Sequence, residues 1–118
     1  MIYKILVIDD DQSVLDSLEL LLESEGYHVK SINSPTLIAD SLMDFTPNLI
    51  LMDIRLGNED GRLLCNEMKQ NSFTEHIPII LVTGLSFNEI SKIDCMADAI
   101  LGKPYHMQNL LLTINTLL

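Results

Sequence analysis

Three runs of four residues, Ile5-Leu6-Val7-Ile8, Leu49-Ile50-Leu51-Met52 and Ile79-Ile80-Leu81-Val82, are apolar at every position, and the stretches between them carry apolar residues at helical spacing. Runs this short and this uniformly apolar read as strands buried on both faces. Strands that alternate with helices are joined by right-handed crossovers of one parallel sheet, with helices packed on both sides. The pattern therefore predicts a doubly wound α/β chain in which any ligand gathers beyond the carboxyl ends of the strands.

The remaining elements fill in around these runs. Asp11 or Ser13 caps a first helix whose stripe is Val14, Leu15, Leu18, Leu21 and Leu22, ending at Gly26. Tyr27 to Ile32 alternates polar with apolar residues, so it reads as a strand at the sheet edge. Ser34-Pro35 starts a helix through Leu37, Ile38, Leu42 and Met43 that stops before Pro47, and Asp60-Gly61 opens another with Leu63, Leu64, Cys65 and Met68. Ser86 and Glu89 form a capping box for a short helix with Ile90 and Ile93. Ala99-Ile100-Leu101 is a brief fifth strand, and a last helix runs through Leu110, Leu111, Ile114, Leu117 and Leu118. Five strands and five helices leave no room for a linker, a repeat or a second domain, so residues 1–118 read as one domain.

Composition excludes several classes. Seven basic against 17 acidic side chains give a net charge of −10, and the few Lys and Arg stand singly, which disfavours direct contact with nucleic acid or an anionic membrane. No apolar run approaches the roughly 20 residues of a membrane helix, and the N-terminus is no signal peptide. Cys65 and Cys95 lie far apart with no metal-ligand spacing, indicating neither a zinc site nor a disulfide framework. These readings place the chain in the cytoplasm.

Chemistry collects at the strand ends. The first strand runs into Asp9-Asp10-Asp11, the third into Asp53, the fourth into Thr83 and the fifth into Gly102-Lys103. Carboxylates crowded on one rim repel each other unless a cation neutralises them, and Mg²⁺ takes one or two carboxylates with further oxygens and retained waters. An ammonium and a hydroxyl beside them suit phosphoryl oxygens. The set points to phosphoryl transfer.

In this order Ile5 to Asp11, Leu49 to Leu56, Asp60-Gly61, Leu81-Val82-Thr83-Gly84 and Gly102-Lys103-Pro104 resemble the receiver domain of two-component response regulators over nearly the whole chain. The resemblance implies the flavodoxin-like, CheY-like sheet order 2-1-3-4-5. It makes Asp53 the phosphoacceptor for a histidine kinase or phosphotransfer protein, Thr83 and Lys103 the binders of the phosphoryl oxygens, and Asp9, Asp10, Asp53 and the backbone carbonyl of Arg55 the Mg²⁺ ligands. It also implies a cis Lys103-Pro104 bond. The output is then a change in affinity for a downstream protein or fused output domain through the fourth helix, fifth strand and fifth helix, with catalysis limited to self-phosphorylation and self-dephosphorylation.

Three departures stand out. Ile100 replaces the usual aromatic three residues before Lys103, Gly57 replaces a common proline and should loosen its loop, and the segment from Thr83 to Lys103 is short, compressing the fourth helix. Leu112 beside Leu110 and Leu111 makes the last helix apolar on more than one face, which suggests a partner or homodimer surface. Two rival functions are a Mg²⁺-dependent aspartyl phosphatase of the haloacid-dehalogenase type, on the strength of Asp9-x-Asp11, and a non-switching docking domain, on the strength of Ile100. The three histidines, His28, His76 and His106, share no spacing and read as surface residues.

Overall fold

The computed structural model describes residues 1–118. Five strands, β1 (Lys4–Ile8), β2 (His28–Ile32), β3 (Leu49–Asp53), β4 (Ile79–Thr83) and β5 (Ala99–Gly102), form one parallel sheet in the order β2-β1-β3-β4-β5. Alternate residues along each strand point to opposite faces, and the core divides accordingly. Leu6, Ile8, Ile50, Met52, Ile79 and Leu81 pack beneath α2 (Ile38–Asp44) and α3 (Gly61–Lys69), whereas Ile5, Val7, Leu49, Leu51, Ile80 and Val82 pack beneath α1 (Gln12–Ser24) and α5 (Met107–Leu117). The three apolar runs are buried throughout, and each large aliphatic side chain so placed contributes about 1.5–3 kcal/mol. The fold is the doubly wound arrangement the sequence implies.

The helix starts follow from capping. Asp11 accepts from the Ser13 backbone N–H at 3.0 Å and so caps α1, and Asp60 caps α3 by accepting from Arg62 N–H at 2.8 Å. Ser34 accepts from Thr36 N–H, but Pro35–Leu37 is a 3-10 turn that precedes α2, so the expected single helix begins as two pieces.

The fourth helix needs correcting further. α4 spans only Phe87–Ile90, so Ile93 lies outside it. The capping box is also one-sided: Ser86 Oγ accepts from Glu89 N–H at 3.3 Å, while the Glu89 carboxylate pairs with Lys92. A helix of four residues has little intrinsic stability, and tertiary bonds from α3 hold it instead. Gly57 takes a left-handed φ of 61° in a tight hairpin pairing Arg55–Leu56 with Glu59–Asp60, a turn not read from the sequence.

Leu110 and Ile114 are buried, and Leu111, Leu117 and Leu118 pack partly against the core, so α5 has one wide apolar face with Met107 and Leu112 left exposed. All three histidines are exposed. No helix is long and apolar enough to cross a membrane.

Candidate functional site

Parallel register brings the predicted residues to one edge. Asp9 follows β1, Asp53 ends β3, Thr83 ends β4 opposite Gly102, and Lys103 follows β5. The Lys103 N–H donates to the Thr83 carbonyl at 2.6 Å, which extends the β4–β5 pairing to the lysine, and the Lys103–Pro104 peptide is cis. Gly61 lies against the Asp53 backbone, where a Cβ would collide with the Asp53 carbonyl. That close approach explains the glycine and fixes α3 beside the aspartate.

Lys103 Nζ lies 2.8 Å from Asp53 Oδ2 and 3.9 Å from Asp9 Oδ2. The first is a charge-assisted hydrogen bond and the second only an electrostatic contact. Burial works to lower the Lys103 ammonium, but the hydrogen bond and charge of Asp53, with Asp9 behind it, outweigh it and hold the group above its ordinary value. Asp9 is 5% exposed and its Oδ1 accepts from Asp11 N–H at 2.9 Å. Burial, partly offset by that bond and reinforced by the Asp53 charge, raises its carboxyl to about 6. Asp53 therefore owns the lysine, and Asp9 is left without full compensation.

The other expected residues are placed differently. Asp10 is exposed and its Oδ2 accepts from Gly57 N–H at 3.1 Å, which ties it to the hairpin. Arg55 donates its backbone N–H to Asp53 Oδ1 at 3.0 Å while its side chain is exposed. Thr83 is 1% exposed, and its Oγ1 accepts from Leu85 N–H at 2.9 Å, leaving the hydroxyl proton free to donate. Asp53, Arg55, Thr83, Gly84, Leu85 and Lys103 line an open pocket of about 370 Å³.

Two features escaped the sequence reading. Tyr105 is partly buried beside Lys103, and burial raises its phenol; an aromatic two residues beyond the lysine was its only signal. Arg62, 7% exposed, forks onto Asp60 (Nη2–Oδ2 2.8 Å) and donates Nη1 to the carbonyls of Glu89 (2.7 Å) and Ile90 (3.1 Å). Nothing local in the sequence marks a bond across 27 residues.

No three acidic, histidine or cysteine side chains form a ready metal cage. The donor set still fits Mg²⁺, which binds through one or two carboxylates and keeps several waters, and the incompletely compensated Asp9 is the kind of group a cation relieves.

Fold and site together define a doubly wound domain that presents one aspartate to solvent beside an ammonium and a hydroxyl. The chain belongs to the response regulator receiver domain family, whose model matches residues 5–115. It is 32% identical over 116 residues, 97% of its length, to the transcriptional regulatory protein GltR of Pseudomonas aeruginosa, of which it covers 48%. Among solved structures it resembles a CheY-like receiver domain protein of Methanospirillum hungatei (30% identity, TM-score 0.86, 98% and 93% of the two chains). The receiver domain of a signal transduction histidine kinase from Syntrophus aciditrophicus is also similar (27%, 0.89, 98% and 89%). The chain spans about half the length of the curated relatives it matches. Receiver domains are signalling modules that generally bind Mg²⁺ at the phosphorylation site and work with histidine kinases and output domains. Family membership removes the phosphatase reading, and so does the position of Asp11, whose carboxylate is spent on capping α1.

Proposed function

We propose that Asp53 accepts a phosphoryl group from the phosphohistidine of a kinase or phosphotransfer protein. The observation that carries this reading is the Lys103–Asp53 contact at 2.8 Å inside an open pocket that also contains Thr83. An Asp53 oxygen attacks phosphorus, the P–N bond of the donor breaks, and an acyl phosphate forms. Lys103 moves its contact from the carboxylate to the transferred oxygens, and the Thr83 hydroxyl donates to another. Asp9, Asp10, Asp53 and the Arg55 carbonyl would hold Mg²⁺, which supplies charge neutralisation for the transfer. As a single receiver unit the chain would act in the cytoplasm, with self-phosphorylation and self-dephosphorylation as its own chemistry and no contact with nucleic acid or membrane.

The output follows from what Thr83 holds. Turning toward a phosphoryl group changes its bond to Leu85 N–H, at the root of α4, and shifts the population of the α4–β5–α5 surface. Phe87, Met96, Ile100, Met107 and Leu112 are exposed there as apolar contacts for a downstream protein, an output domain or a second copy of the chain.

Intact mass after incubation with acetyl phosphate tests the proposal. One phosphoryl group is expected, dependent on Mg²⁺ and absent from Asp53→Asn; an adduct retained in the variant overturns the assignment.

A further inference from the structure

The two cysteines stand 30 positions apart in sequence, yet the fold brings them to one place. Cys65 on α3 is fully buried in the core cluster beneath that helix, and Cys95, in the connection between α4 and β5, packs partly exposed against the same cluster. The residue after Cys65 fixes the approach. Asn66 donates Nδ2–H to the Asp94 carbonyl at 2.7 Å and accepts from Met96 N–H at 2.8 Å, so one side chain clasps the backbone on both sides of Cys95. One turn earlier, Arg62 holds the end of α4 and lies within electrostatic reach of Cys95. Burial, with Cys95 as the next influence, pushes the Cys65 thiol up to about 12, so it is inert toward a solvent-borne oxidant.

We propose that Cys65 and Cys95 are a redox-active pair that a hydroperoxide converts into an intramolecular disulfide. Cys95, the sulfur that solvent reaches, attacks the peroxide as a thiolate. An S–O bond forms, the O–O bond breaks, and the departing oxygen takes up the proton that the Cys95 thiol released and leaves as water or an alcohol. Cys65 then attacks the sulfenic sulfur, the S–S bond forms, the S–O bond breaks, and the hydroxide takes the Cys65 proton away as water. Two thiols and one peroxide thus give one disulfide. Such bonds in reducing compartments are transient and regulatory. This one would replace the Asn66 clasp with a covalent tie and hold the segment leading into β5 against α3.

Treating the full chain with hydrogen peroxide, removing the peroxide, and then reading intact mass, thiol alkylation in denaturant and a peptide map provides the test. The expected result is loss of two hydrogen atoms, a fall from two alkylatable thiols to none, a Cys65–Cys95 linked peptide, and reversal by dithiothreitol. In Cys65→Ala, Cys95 should stop at a sulfenic acid trapped by dimedone. In Cys95→Ser, which leaves the buried site intact, Cys65 should stay reduced. Two free thiols after treatment, oxygen added at Cys95 with Cys65 still alkylatable, a disulfide between two chains, or oxidation of Cys65 in Cys95→Ser would each overturn the proposal.

Discussion

At the residue scale the site turns on which carboxylate receives the lysine. Lys103 bonds Asp53 and only brushes Asp9, so Asp9 remains a buried acid with its carboxyl at about 6 against an ordinary 3.8. Because the folded chain holds that proton more tightly than the unfolded one, the stability Asp9 contributes is fully present below about pH 4 and is lost as pH rises through about 6. Without divalent cations, Asp9→Asn should therefore gain on the order of 1–3 kcal/mol over the parent at pH 7 and almost nothing near pH 4. Urea unfolding at both pH values measures it, and parallel curves would contradict the assignment. Asp60 runs the other way: its bond to Arg62, against some burial, lowers it, so its contribution is lost as pH falls through its folded value.

At the element scale the short α4 is held from outside. Arg62 supplies donors to the Glu89 and Ile90 carbonyls, where a longer helix would use its own backbone. Arg62→Leu should cost about 1–3 kcal/mol by taking the side-chain donor from the Ile90 carbonyl and leaving Asp60 with only its backbone cap, and should speed hydrogen exchange at residues 87–96 while acetyl phosphate still modifies Asp53. Unchanged exchange there would show that α4 needs no such support. Gly61→Ala places a Cβ on the Asp53 carbonyl; the expected loss is about 1–3 kcal/mol with slower phosphorylation, seen by denaturation and by intact mass over time.

The elements show what could be read in advance. β1, β3, β4 and the start of α1 were legible because an all-apolar run and an Asp cap are local signals. That α4 would be short was legible in the few residues between Thr83 and Lys103, but its end was not, because Ile90 and Ile93 have helical spacing whether or not the backbone between them is helical. The Gly57 hairpin was missed for a similar reason: a two-residue pairing leaves no periodic trace.

At the scale of the whole molecule, the apolar faces are largely used. Helices α1 and α5 cover one side of the sheet and α2 and α3 the other. What stays exposed around α4, β5 and α5 is a small set of apolar tips, with Leu112 at 66% the largest on α5. If these tips join two copies of the chain once Asp53 is modified, light scattering with Mg²⁺ and fluoroberyllate should show the mass rising toward a dimer, and Leu112→Glu should abolish the rise. A constant monomer mass in both proteins would assign the face to a different partner.

The sequence by itself determined that the three apolar runs are buried, in what order strands and helices come, and that Asp9, Asp53, Thr83 and Lys103 stand at strand ends, because strand and helix periods and caps act over a few residues. Tertiary structure alone decided that Lys103 pairs with Asp53 rather than Asp9, that Arg62 reaches α4, and that Cys65 meets Cys95. Hydrogen bonds and charge pairs depend on separations of a few ångströms in space, and those separations are set only when the strands register and the helices dock.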